Sequence, residues 1–151
     1  MIQRIQTVYL LLATILMVLF YIYPIATFTT STFQFDFFNC HITHPKDLPP
    51  PIALLPLAIL PTISILMSTI SIFLYKKRKT QILLGRINTL FILLTIITTV
   101  LYYLRIDNLL KGTSSIGFAG IFPILAFVFI IMANSAIKKD EELVRSADRI
   151  R

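Results

Sequence analysis

Acidic side chains are few in this 151-residue chain, seven in all, and none of them falls inside its four long apolar runs. Ion-coupled transport places an ionisable group at bilayer depth to bind and release the ion, so this absence counts against a pump or exchanger. Small multidrug exporters are likewise short four-helix chains, but they work with a membrane-embedded Glu that has no counterpart here. Cysteine occurs once, at Cys40. A lone thiol cannot form and break an internal disulfide, which excludes a quinone-linked disulfide enzyme as a monomeric activity. No glycine-rich phosphate loop, HExxH, GxSxG or paired carboxylate is present, and Asp36 and Asp47 share a loop without a spacing that implies an acid and base pair.

What is abundant is grease. The chain is 56% hydrophobic and 14% charged, far below the roughly 25% charge of soluble domains. Its uncharged runs cover residues 5–35, 48–75, 87–104 and 112–137, and about 20 residues cross a bilayer core of about 30 Å. The fold expected is an all-α membrane protein, a four-helix transmembrane bundle in a single domain over residues 1–151. Spans are placed near 5–26, 53–75, 82–104 and 116–137, with an outer loop at 27–52 and a helical tail at 138–151. The first run is too long for a signal-peptide core, and Pro24 stands where a cleavage site wants a small side chain, so it is read as a retained helix.

Basic residues set the expected topology. Arg4, the five at Lys76, Lys77, Arg78, Lys79 and Arg86, and the five at Lys138, Lys139, Arg145, Arg149 and Arg151 lie on one side, eleven in all. Only Lys46, Arg105 and Lys111 lie on the other. The positive-inside rule then puts both termini in the cytoplasm. The cluster at 76–79 is expected to meet anionic lipid head groups, at about 1 kcal/mol per basic residue, rather than nucleic acid.

Within the spans, small and polar residues mark contact faces. Ser64, Ser68 and Ser71 at i, i+4, i+7 make a stripe that lets another helix approach closely, and Gly112, Ala119, Ala126 and Ala133 recur every seven residues. Thr95, Thr98 and Thr99 can each bond back to a carbonyl one turn earlier. Gln81, Arg86 and Asn88 are expected to snorkel toward the cytoplasmic interface. Tyr9, Tyr21 and Tyr23 suit the two interfaces, Pro56 and Pro61 should bend the second helix, and Gly117, Gly120 and Pro123 should make the start of the fourth bendable. In the outer loop, the segment 33–37 alternates aromatic and polar residues and residues 27–32 are rich in β-branched ones, which predicts a small hairpin or sheet.

Candidate ligands are confined to Cys40, His41 and His44 in that loop. A thiolate and two imidazoles would suit zinc or copper, but no fourth ligand is near and the flanks are extended, so they are read as exposed loop residues. No catalytic, cofactor-binding or metal-ligating residue is expected. The tail, by contrast, is patterned: Glu141 with Arg145 and Asp148 with Arg151 are spaced to pair, and Leu143, Val144, Ala147 and Ile150 line one face that wants a partner, either lipid or protein.

The opening segment MIQRIQTVYLLLA (1–13) and the closing segment MANSAIKKDEELVRSADRIR (132–151) resemble a family of small bacterial four-helix membrane proteins classified only as a domain of unknown function. The resemblance implies a bacterial inner-membrane protein with no assigned activity, and it carries no functional residue over. The function expected is that of a non-enzymatic scaffold or accessory subunit of an inner-membrane assembly, binding a protein partner or a second copy through the tail or the outer loop. The alternative is a small transport or lipid-handling protein working through a cavity lined by Ser64, Ser68, Ser71 and the third-helix threonines.

Overall fold

A computed structural model of the chain describes residues 3–29, 34–39, 54–75, 77–110 and 113–148. The elements run α1 (Gln3–Ile22), β1 (Ala26–Thr29), β2 (Gln34–Phe37), α2 (Leu55–Phe73), α3 (Arg78–Leu110), β3 (Thr113–Ile116), a single 3-10 turn (Phe118–Ile121) and α4 (Phe122–Asp148). All four helices are long and apolar enough to cross a membrane. The architecture is that of a multi-pass membrane protein. In hydrocarbon every backbone N–H and C=O must be satisfied within the protein, and a helix does that within one segment.

The helices stand in a ring, with α1 beside α2, α2 beside α3, α3 beside α4 and α4 beside α1. Their buried positions repeat with spacings of four and three residues throughout: Gln6, Leu10, Ala13, Met17 and Phe20 on α1; Leu57, Pro61, Ser64, Ser68 and Ser71 on α2. On α3 the seam is Gln81, Gly85, Asn88, Ile92, Thr95 and Thr99, and on α4 it is Pro123, Ala126, Ile130, Ala133 and Ile137. A seven-residue repeat is the pattern of left-handed bundle packing. The outward faces are greasier than the inward ones. On α2 the buried row ends in three serines while Leu55, Ile59, Leu66, Ile70 and Phe73 are exposed. Water would disfavour that arrangement, and lipid favours it.

At one end the bundle is closed by a three-stranded antiparallel sheet in the order β2-β1-β3. The expected hairpin is present, with Phe28 opposite Phe35 and Ala26 opposite Phe37. Over the described residues 34–37 the alternation sorts as its period demands: Phe35 and Phe37 are buried and Gln34 is exposed. Phe28 stacks on Phe35 with ring centroids 5.4 Å apart and lies 5.6 Å from the Tyr103 ring. These rings join Phe20, Leu57, Ile106 and Ala119 in one buried cluster, so the sheet sits on the helix ends. The third strand was not anticipated. Thr113–Ile116 comes from the other loop at this end, between α3 and α4, and pairs along β1 from Ala26 opposite Ile116 to Thr29 opposite Thr113.

That third strand also moves a helix boundary. Residues 113–116 are drawn into the sheet, so the α-helix expected from 116 begins at Phe122 after the 3-10 turn. Gly117 makes the crossing possible: its N–H donates to the Ile25 carbonyl at 2.8 Å. A Cβ here would stand 2.4 Å from the Pro24 carbonyl oxygen. The segment 40–53, with Cys40, His41, His44 and Pro49, lies outside the described residues.

Gly117→Ala is expected to destabilise the protein by about 1 to 3 kcal/mol, since two backbones must separate to admit the methyl. Gly120→Ala, whose new methyl would meet only Ile116 Cγ2 at 3.9 Å, serves as the near-neutral control. Thermal unfolding of the detergent-solubilised variants measures the difference, and equal melting temperatures would overturn the assignment.

Candidate functional site

Polar side chains of the interior gather in the half of the bundle away from the sheet. Asn88 of α3 donates from Nδ2 to Ser68 Oγ of α2 at 2.7 Å, deep between the helices. Two turns along α3 toward the far end, Gln81 Nε2 donates to the Ser71 carbonyl at 3.0 Å. On the other flank of α3, Asn134 of α4 donates to Thr89 Oγ1 at 3.1 Å, and that hydroxyl donates to the Gly85 carbonyl at 2.8 Å. Gln6 of α1 reaches the Ala136 carbonyl of α4 at 3.2 Å. The layer thus links α2 to α3, α3 to α4 and α4 to α1. The remaining pair is joined near the sheet, where the Tyr21 hydroxyl meets the Ala58 carbonyl and Thr62 Oγ1.

Gly85 is the hinge of this layer in a steric sense. A Cβ there would stand 1.8 Å from Asn134 Oδ1, so the carboxamide occupies the space that a side chain would fill. Six buried side-chain atoms have no hydrogen-bond partner among the described residues: Nδ2 and Oδ1 of Asn39, just after β2, and four oxygens within the bundle, Ser64 Oγ, Ser71 Oγ, Asn88 Oδ1 and Asn134 Oδ1. Unfilled acceptors at such depth are unusual.

Sequence reasoning located part of this correctly. The serine stripe is buried against α3, and Ala119, Ala126 and Ala133 are fully buried as their spacing implied. Thr95, Thr98 and Thr99 bond back to the carbonyls of Phe91, Leu94 and Thr95 at 2.8, 2.6 and 2.8 Å. Gln81 and Asn88 differ from expectation. They turn inward, 4% and 2% exposed, because a hydrogen-bond partner on α2 lies closer than the water beyond the helix end. Arg86 alone of the three stays at the surface. The roles of Gly85, Asn134 and Gln6 were missed, although Gln81, Gly85, Asn88, Ile92 and Thr95 show the same spacing of four and three that flagged the serines.

A second site lies at the far end, in the cleft between the start of α3 and the end of α4. It is a cavity of about 290 Å³ lined by Lys79, Ile82, Arg86, Lys138, Glu141 and Glu142. Lys138 and Glu142 approach to 3.9 Å, with both side chains about two-thirds exposed. The two ion pairs expected in the tail involve Arg145, Asp148 and Arg151, whose side chains lie outside those described, as do Ala147 and Ile150. Leu143 and Val144 are exposed, at 49% and 43%. Among the described residues no group of three or more His, Cys, Asp or Glu is placed to hold a metal ion.

If the polar layer is interhelical glue, a double-mutant cycle of Asn88→Ala with Ser68→Ala should return a coupling of about 0.6 to 1.7 kcal/mol. Thr98→Val, which removes only a bond within its own helix, should cost less than about 0.5 kcal/mol. Reversible unfolding in mixed micelles measures both, and strict additivity at 88 and 68 would count against the bond.

None of the curated proteins compared with the chain is similar enough to count as a match. A family model does match, over residues 2–150, in agreement with the resemblance of the two terminal segments. With nearly its whole length covered, the chain belongs to the family described as Domain of unknown function (DUF4293).

Proposed function

We propose that this protein is a non-enzymatic, multi-pass component of a bacterial inner membrane that serves as a scaffold or accessory subunit, docking through the end of α4. The observation that carries this reading is the overhang of that helix. Gly85 and Thr89 face Asn134 across antiparallel helices, so the start of α3 at Arg78 comes level with Glu142, about two turns further along α4. Residues 143–148 therefore run on beyond the α3 start, with Leu143 and Val144 exposed beside a charged segment. An apolar pair on a projecting charged helix suits a protein partner or a second copy of the chain. The polar interior supports the same reading, since Gln6, Gln81, Asn88 and Asn134 spend amide donors on neighbouring helices.

A second reading, transport or lipid handling through the interior, draws on the four unpartnered oxygens near Ser64, Ser71, Asn88 and Asn134. It is the weaker one, because Ser68 and Asn88, at the centre of the stripe, are bonded to each other.

Orientation belongs to the proposal. Eleven basic residues on the tail side against three on the sheet side favour a cytoplasmic tail and an external sheet. A phosphatase that folds only outside the cytoplasm should be inactive when fused after residue 151 and active when fused after residue 46. The opposite pattern would invert the topology. For the docking role, full-length protein purified in mild detergent should bring down a stoichiometric partner or form a homo-oligomer. Leu143→Ser with Val144→Ser, and a chain ending at residue 139, should lose that association while melting as the parent does. A clean monomer unchanged by either variant would sink the proposal.

A further inference from the structure

The cleft at the far end has a composition that the docking role does not use. Among the described residues its three cations, Lys79, Arg86 and Lys138, outnumber its two carboxylates, Glu141 and Glu142, by one. Lys138 and Glu142 lie 3.9 Å apart and partly offset each other. What remains is a cationic side made by Lys79 and Arg86 on α3 and an anionic side made by Glu141 on α4. Lys79 also stands in the first turn of α3, where the helix end adds partial positive charge. At about 290 Å³ the cavity lies at the small end of ligand pockets, which run from about 300 to 1,000 Å³.

Its position tells which small dipolar group would come there. The α3 face bearing Lys79, Ile82 and Arg86 continues, at helical spacing, as Leu90, Leu93 and Ile97, all exposed. The α4 face bearing Lys138 and Glu142 continues as Ile131, Val128 and Ile124, also exposed. The charged cavity therefore heads an apolar strip between two neighbouring helices, and it sits where the uncharged part of each helix ends. We propose that the cleft binds the headgroup of one phospholipid bearing a primary amine, phosphatidylethanolamine in chemical class. Lys79 and Arg86 take the phosphodiester, Glu141 accepts from the ammonium, and the acyl chains lie along the strip. Phosphatidylcholine offers the same charges without an N–H to donate, and phosphatidylglycerol lacks the cation.

This inference is independent of the docking role, and native mass spectrometry of the full-length protein tests it with three lipids of identical acyl chains. One molecule of phosphatidylethanolamine should be retained roughly threefold better than phosphatidylcholine, the scale of one net hydrogen bond. Glu141→Gln, which keeps an acceptor but removes its charge, should reduce that preference and leave phosphatidylglycerol retention undiminished. Lys79→Gln with Arg86→Gln should lower retention of both phosphatidylethanolamine and phosphatidylglycerol. All these side chains lie at the surface, so melting temperatures should match the parent and separate loss of binding from loss of fold. Equal retention of the ethanolamine and choline lipids, or an unchanged preference in Glu141→Gln, would overturn the proposal. So would displacement of the lipid by an equal concentration of glycerophosphoethanolamine, which would assign the cleft to a soluble phosphate ester.

Discussion

Close approach of the four helices along small and polar seams is the constraint on which the rest of this structure depends. Lipid tails are as apolar as leucine, so burying leucine between helices gains little in a bilayer, and packing and hydrogen bonds must hold the bundle instead. The seams supply both. Ser64, Ser68 and Ser71, Gly85, and Ala119, Ala126 and Ala133 let backbones come near, while Gln6, Gln81, Asn88 and Asn134 bridge between helices. Every adjacent pair in the ring has at least one such bridge, counting Tyr21 between α1 and α2. Most of the larger apolar side chains of the helices are left for the outside, where lipid takes them.

The two ends of the bundle are finished differently, and this asymmetry orders the functional reading. At one end the sheet ties both loops together through β1 and lays Phe28, Phe35 and Phe37 on the helix ends. Tyr103 adds a hydroxyl contact to Ser114 at 2.8 Å, so α3 is fastened to β3 as well as to the ring cluster. The other end has no such cover among the described residues: α3 and α4 run out of the apolar zone into a shared cleft of mixed charge, and α4 continues beyond it. A closed end and a charged end suit a protein whose contacts are made on one side.

Much of the architecture was legible in the chain because lipid imposes a simple rule. Uncharged runs of sufficient length must be helices, and the period-2 alternation around Phe35 and Phe37 could only bury aromatic rings if it formed a strand. The serine and alanine spacings marked two seams for the same reason, as small residues are otherwise scattered. The other seams were harder to see. On α1 the buried row of Gln6, Leu10, Ala13, Met17 and Phe20 includes three large apolar residues amid apolar exposed neighbours, so hydropathy carries little contrast between inside and outside. Gln81 and Asn88 read as interface residues because polarity near a span end has two outlets, water beyond the helix or a partner beside it.

By itself, then, the sequence determined the class: four crossings, a hairpin at one end, charge gathered at the other, and family membership. Those follow from local composition acting against a bilayer, which each segment meets on its own. The tertiary structure alone decided what requires two distant segments at once. Thr113–Ile116 is a strand only because β1 has a free edge beside it. Gly85 matters only because Asn134 comes to lie over it. Lys79 and Glu141, more than sixty residues apart in the chain, share a cleft only because α3 and α4 run antiparallel. Contacts of that kind leave no periodic trace in one strand or helix, since the reason for each residue lies on another element.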